Sequence, residues 1–160
     1  MGLLEQIKFE TQGDLDMGAS TKKTVIFEAP IDKVYEAITS YQDYPDFVEG
    51  VSSVDVLEKD DSGARVEYSI NMIKKVRYIL KMIHNKPHKV EWRLESGDLF
   101  KVNSGAWELT DKGDGTTQVD YSVEIDIKGF IPMAGKIVTT LTETQLPKML
   151  KSYEQKAQSL

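Results

Sequence analysis

The sequence predicts a single α+β domain in which a seven-stranded antiparallel sheet packs against a long C-terminal helix. From residue 51 to residue 127, apolar side chains recur at every second position, which is the period of strands with one buried face. Before and after this region the apolar period is that of a helix. One sheet with one apolar face and one long apolar helix to cover it form a two-layer α+β packing.

Length and composition restrict the chemistry of the protein. The chain has 160 residues, a net charge of -6, two histidines and no cysteine. A single domain fits this length, and the absence of cysteine excludes disulfides, thiolate nucleophiles, zinc–thiolate sites and iron–sulfur clusters. No apolar stretch reaches the ~18 residues of a membrane span, and no signal-peptide run begins the chain. We therefore expect a cytoplasmic protein that does not span a membrane.

The first elements are a strand and two helices. Residues 1–19 are interpreted as an N-terminal extension that packs loosely on a domain of residues 20–160. Residues 23–28 are rich in β-branched and aromatic side chains and end at Pro30, which predicts the first strand. The next segment predicts a helix with one apolar face, and a shorter helix follows over residues 43–48 with Pro45 in its first turn. The apolar face consists of Ile31, Val34, Tyr35, Ile38 and Tyr41.

Six strands follow, and one of them has an ambiguous phase. In the strand that begins near Leu99, Phe100 and Val102 have one parity, whereas Trp107 and Leu109 have the other. A β-bulge near Ser104–Gly105 would reconcile the two halves. After residue 132 a helical period returns, and Pro147 is predicted to kink the C-terminal helix.

Several short motifs, in order, resemble the START-like superfamily with the helix-grip fold. They are APIDKVYEAI (29–38), YPDF (44–47), VDVL (54–57), VEWRL (90–94), GAWEL (105–109) and LPKML (146–150). Within that superfamily the chain is most similar to the polyketide cyclase/dehydrase and coenzyme Q-binding branch. The resemblance implies a sheet curved around the C-terminal helix, with a cavity between them for a hydrophobic ligand. Members include quinone or lipid carriers, aromatase/cyclases and a ribosome-associated toxin, so the fold alone does not select a function.

Strand parity and this resemblance together predict the residues that bind the ligand. They are Tyr68, Ile70, Met72, Tyr78, Leu80, Met82, Trp92, Phe100, Trp107, Tyr121 and Val123 on the sheet, roofed by Ile137, Val138 and Leu141 of the last helix. Such a surface suits a large apolar ligand with one or two polar atoms. The alternative is a filled core with no room for a ligand.

Few residues are candidates for catalysis or for binding a cofactor. His84 shares the parity of Met82 and could act as an acid/base at the end of the cavity, or it could be a strand-end histidine bonded to backbone. Two histidines without a third ligand nearby do not predict a metal site. No nucleophile elbow, phosphate loop or dinucleotide motif occurs, so no cofactor is predicted.

Charge is unevenly distributed along the chain. Residues 74–93 have a net charge of +6, so the rest of the chain has -12. Four cations of this segment, which we call the basic strip, have outward parity: Arg77, Lys81, Lys89 and Arg93. The strip could contact an anionic partner such as ribosomal RNA or lipid headgroups, or its cations could pair with Glu67, Glu91 and Glu95 across strands.

These observations lead to one functional hypothesis and two alternatives. The hypothesis is a carrier or sequestering protein for a lipid, quinone or polyketide-like molecule. The first alternative is a polyketide aromatase/cyclase or dehydratase that uses the same cavity. The second is a ribosome-associated, toxin-like regulator that acts through the basic strip. No DNA partner is predicted, and the oligomeric state stays open.

Overall fold

The fold is a seven-stranded antiparallel sheet with helices on one side, as predicted. The computed structural model describes residues 19–71, 75–128, 135, 139, 143 and 145–160. The strands are β1 (Ala19–Phe27), β2 (Val51–Asp60), β3 (Gly63–Asn71), β4 (Lys75–Asn85), β5 (Lys89–Gly97), β6 (Phe100–Asp111) and β7 (Thr117–Ile127). Their order in the sheet is β1-β7-β6-β5-β4-β3-β2, so each of β2 to β7 pairs with its neighbour in sequence.

Three helices complete the described fold. They are α1 (Ile31–Thr39), α2 (Tyr44–Phe47) and α3 (Leu146–Ser159), and a 3-10 turn over Tyr41–Asp43 joins the first two. Val34, Tyr35 and Ile38 are buried in α1, which confirms the predicted apolar face. Pro45 lies in the first turn of α2, where a missing backbone N–H costs nothing. The N-terminal extension stays a prediction, because residues 1–18 lie outside the described residues.

The β-bulge of β6 lies closer to the start of the strand than predicted. The pairing register with β7 shifts between Phe100 and Val102, not near Ser104–Gly105. After this shift, Asn103, Trp107 and Leu109 are buried on the same face of the sheet as Phe100. The extra residue thus lets both halves of the strand turn their apolar side chains toward the core.

Helix α3 covers the sheet and is tied to the end of β1. Its buried positions include Leu146, Leu150 and Tyr153, as the apolar stripe predicted. Pro147 occupies the first turn of α3. The kink that we predicted in a longer C-terminal helix stays a prediction, because most of residues 129–144 lie outside the described residues. Glu154 accepts a hydrogen bond of 2.9 Å from the backbone N–H of Glu28, directly after β1. In the part of the chain that the structure describes, no helix is long and apolar enough to cross a membrane.

The outward face of β3, β4 and β5 carries charges of both signs. Arg77 lies 3.4 Å from Glu67, and Lys89 lies 2.8 Å from Glu91. Glu95 pairs with Arg65 at 2.7 Å rather than with a cation of the basic strip. Exposed pairs of this kind contribute little to stability because solvent screens them. Binding of an anionic partner at the strip stays a prediction.

Candidate functional site

A cavity of about 150 Å³ lies between the sheet and α3. Six of the seven strands contribute to its wall, from β2 through β7, and α2 and α3 close it on the other side. Its lining residues are Tyr44, Val48, Glu49, Gly50, Val51, Tyr68, Ile70, Tyr78, Leu80, Met82, Trp92, Asn103, Trp107, Tyr121, Val123, Ile125, Gln145, Met149 and Tyr153. The sheet and the helix therefore do not fill the space between them.

Most of the residues that the sequence predicted for ligand binding line this cavity. Of those that the structure describes, only Phe100 does not, because its ring lies behind Tyr78, edge-on, with ring centroids 5.1 Å apart. The predicted roof, Ile137, Val138 and Leu141, lies outside the described residues, as does Met72. The structure brings the others together: Tyr68, Ile70, Tyr78, Leu80, Met82, Trp92, Trp107, Tyr121 and Val123.

Several lining residues were missed at the sequence level. Tyr44 and Val48 come from α2 and the turn after it, and Met149 and Tyr153 come from α3. The sequence shows that these residues are apolar, but no local pattern shows which apolar helix residues face a cavity rather than packed side chains. Asn103 was missed for a different reason. It shares the parity of Trp107, and that signal was obscured by the misplaced bulge.

Seven of the described residues that line the cavity are aromatic. Trp107 contacts Tyr121 and Tyr153 edge-on, each with ring centroids 4.7 Å apart. On the opposite side, Tyr68 and Tyr78 stack with centroids 5.4 Å apart and planes 11° from parallel. Packed rings of this kind are rigid apolar surfaces whose hydroxyls remain available for hydrogen bonds.

The hydroxyls of the lining tyrosines are neutral. Burial raises the pKa of Tyr68, Tyr78 and Tyr121 well above 10, so all three keep their protons at neutral pH. Among the described residues, none of the three hydroxyls makes a hydrogen bond to the protein. The cavity thus offers polar atoms that only a ligand or water inside it can satisfy.

A close approach between β5 and β6 positions a buried hydrogen-bonded pair, Trp92 and Asn103, in the cavity wall. Trp92 of β5 pairs directly with Gly105 of β6. A Cβ atom at Gly105 would lie 2.5 Å from the Trp92 ring, so only glycine lets the indole lie so close to β6. In that position Trp92 Nε1 donates a hydrogen bond of 3.1 Å to Oδ1 of Asn103.

The cavity opens beside the turn between α2 and β2. Glu49 is exposed there, while Gly50, Val51 and Gln145 are half-buried. Gly50 has φ of +90°, a backbone conformation that favours glycine, and it turns the chain into β2. Glu49 is the one charged side chain among the described lining residues, and it lies at the mouth.

His84 lies outside the cavity. Its Nε2 is 2.7 Å from the Tyr41 hydroxyl, and the two rings stack with centroids 5.9 Å apart. Burial raises the pKa of Tyr41, so its hydroxyl stays protonated. The hydrogen bond between the two side chains joins β4 to the turn after α1, and the backbone of Asp60 is a further hydrogen-bond partner of the imidazole. Among the described residues, no three His, Asp or Glu side chains gather as metal ligands would.

The environment of His84 predicts a pH-dependent stability. Burial lowers the pKa of His84 below 6.5, and the charge of Lys59 acts in the same direction. The unfolded chain then binds a proton more readily than the folded one, so the free energy of unfolding falls as the pH drops below about 6.5. We expect His84→Gln to reduce the change in melting temperature between about pH 7 and about pH 5. His88→Gln, at the β4–β5 turn, is the control, and an equal effect of both variants would contradict this assignment.

Comparison with known families identifies one matching model. Residues 27–154 match the model described as polyketide cyclase/dehydrase and lipid transport. The match spans α1 to α3 and so includes nearly the whole of the described cavity wall. No curated protein is similar enough in sequence to be matched with the chain.

Solved structures share the fold at low sequence identity. The Zhui aromatase/cyclase from Streptomyces sp. R1128 superposes with a TM-score of 0.79 at 15% identity, over 88% of this chain and 94% of that one. A START superfamily protein from Mycobacterium smegmatis gives 0.74 at 16% identity, over 88% and 97%. Norcoclaurine synthase from Thalictrum flavum, in complex with dopamine and hydroxybenzaldehyde, gives 0.65 at 14% identity, over 90% and 88%. These similarities establish the helix-grip fold.

Proposed function

The chain belongs to the polyketide cyclase/dehydrase and lipid transport family, and we propose that it binds a hydrophobic small molecule in the cavity between sheet and α3 and carries or sequesters it. The observation that supports this is a cavity of about 150 Å³ lined by aromatic rings, with tyrosine hydroxyls that no described residue satisfies. A filled core would leave neither the space nor the free polar atoms.

The size of the cavity favours a compact ligand. Typical small-molecule pockets measure about 300–1,000 Å³, and this one measures about 150 Å³. One or two rings fit this space, and a longer tail would leave through the mouth beside Glu49 and Gln145. Norcoclaurine synthase, which shares the fold, holds single-ring aromatic molecules. A quinone ring or a short polyketide-like ring system is therefore the favoured occupant, and a fully enclosed lipid chain is not.

The enzymatic and ribosomal alternatives stay predictions. The described wall contains no Asp, Glu, Lys, Arg or His side chain apart from Glu49 at the mouth, so the described part of its interior offers no charged general acid or base. Two cations of the basic strip, Arg77 and Lys89, pair with carboxylates on the outward face of the sheet. A carrier protein requires neither a charged residue inside the cavity nor a free cationic surface, and we therefore favour this function.

Tryptophan fluorescence tests the proposal directly. The chain has two tryptophans, and both Trp92 and Trp107 line the cavity. Titration with 1,4-naphthoquinone is expected to quench their emission to saturation at one equivalent. Val123→Phe, which fills the cavity, is expected to weaken binding by at least about tenfold, or about 1.4 kcal/mol.

A matched substitution separates loss of space from loss of stability. Val56 of β2 is half-buried and does not line the cavity, so Val56→Phe adds the same bulk elsewhere on the sheet. The dissociation constant of Val56→Phe for 1,4-naphthoquinone is expected to equal that of the wild-type protein. Absence of saturable quenching, together with an organic extract of the purified protein that holds no apolar compound, would refute the proposed function.

A further inference from the structure

We propose that the side-chain amide nitrogen of Asn103 recognises a neutral carbonyl oxygen on the ligand, so that the ligand is a one- or two-ring carbonyl compound. This inference rests on the proposed function, because it takes the cavity as a binding site. It specifies the chemical group that the ligand must present and the residue that binds this group.

The orientation of the Asn103 amide follows from its partner. An indole N–H can only donate a hydrogen bond, so the atom of Asn103 that lies 3.1 Å from Trp92 Nε1 is the oxygen. The nitrogen, with two N–H donors, must then point away from the indole. Asn103 is buried, with 7% of its surface exposed, and it lines the cavity. Trp92 thus holds Asn103 as a donor at the cavity wall.

This donor has no acceptor in the described protein. The Asn103 nitrogen makes no hydrogen bond to any residue that the structure describes. A buried amide N–H without a partner is unfavourable, and native proteins satisfy nearly all of them. Asparagine is also depleted in strands, and the hydrogen bond from Trp92 uses only its side-chain oxygen. A ligand oxygen in the cavity supplies that interaction.

The surrounding charges indicate a neutral acceptor. Because its oxygen already accepts from Trp92 while neither of its N–H donors has a described acceptor, the unmet capacity of the Asn103 amide is that of a donor, which a ligand oxygen matches. A carboxylate would be buried without a counter-ion, since the described lining residues include no cation and Glu49 at the mouth is acidic. A ketone, quinone or aldehyde oxygen meets both conditions. The neutral hydroxyls of Tyr78 and Tyr121 can donate to a second oxygen of the same ring system.

Two probes with the same carbon skeleton test this inference. 1-Tetralone has a carbonyl where tetralin has a ring CH₂ group, and the two compounds are otherwise identical. Calorimetry measures the dissociation constant of each. In Asn103→Leu, the preference for 1-tetralone over tetralin is expected to fall about tenfold relative to wild type, as for loss of one hydrogen bond of about 1.4 kcal/mol. Asn85→Leu, an exposed position at the end of β4, is expected to keep the wild-type preference.

A second measurement on the wild-type protein does not depend on the fold of the variant. The side-chain amide resonances of Asn103 are expected to shift when 1-tetralone binds and to shift much less with tetralin. If both probes bind but neither the preference nor these resonances depend on the carbonyl, the inference is overturned and the proposed function stands. If neither probe nor 1,4-naphthoquinone binds and an organic extract of the purified protein holds no apolar compound, the proposed function fails and this inference fails with it.

Discussion

Replacing Gly105 with alanine is expected to lower the free energy of unfolding by about 3 kcal/mol and to separate Trp92 from Asn103. The new Cβ would lie 2.2 Å from the backbone oxygen of Ser122 and 2.5 Å from the Trp92 ring. Non-bonded heavy atoms do not pack so closely, so both the β6–β7 pairing and the indole must move. Movement of the indole breaks the hydrogen bond that orients the Asn103 amide.

Urea denaturation, followed by circular dichroism, measures the loss of stability. Ser104→Ala is the matched control, because Ser104 is the preceding residue in β6 and its side chain lies on the other face of the sheet. The control is expected to change the free energy of unfolding by less than about 0.5 kcal/mol. A Gly105→Ala protein with wild-type stability and wild-type preference for 1-tetralone would show that Gly105 does not position the indole.

Strand parity predicted most of the cavity wall that the sheet supplies. Tyr68, Tyr78, Trp92 and Tyr121 lie in strands with an alternating apolar pattern, and alternate residues of a strand share a face of the sheet. The order of strands also followed from sequence, because hairpin connections make sequence neighbours into sheet neighbours. In β6 the same reasoning failed locally, since a one-residue bulge reverses parity and composition does not show where it lies.

The cavity itself could not be predicted from the pattern of apolar residues. An apolar face predicts burial, but whether the opposing layer touches it depends on how far the helix stands from the sheet. Here large rings of α2 and α3, among them Tyr44 and Tyr153, hold the layers apart at one end of the cavity. Parity likewise placed His84 beside Met82, yet its ring turns toward Tyr41, because a tertiary partner decides where an end-of-strand side chain lies.

Tyr153 is the residue whose loss should most affect both stability and ligand size. Its ring contacts Tyr44, Phe47 and Trp107 edge-on, with centroids 5.4 Å, 5.3 Å and 4.7 Å away. It thereby joins α3 to α2 and to the sheet, and only 4% of its surface is exposed. Tyr153→Ala is expected to lower the free energy of unfolding by about 4 kcal/mol, whereas Tyr153→Phe, which keeps the ring, should cost about 1 kcal/mol.

The same substitution should change which ligands the cavity accepts. Removing a ring from the wall adds space next to Trp107, so a three-ring probe such as anthraquinone is expected to bind Tyr153→Ala more tightly than it binds wild type, provided the variant is assayed where it is folded. Tyr153→Phe should retain the wild-type order of affinities for 1,4-naphthoquinone and anthraquinone. An unchanged order in Tyr153→Ala would mean that the surrounding side chains collapse into the vacated space, and that cavity size is set by the sheet rather than by α3.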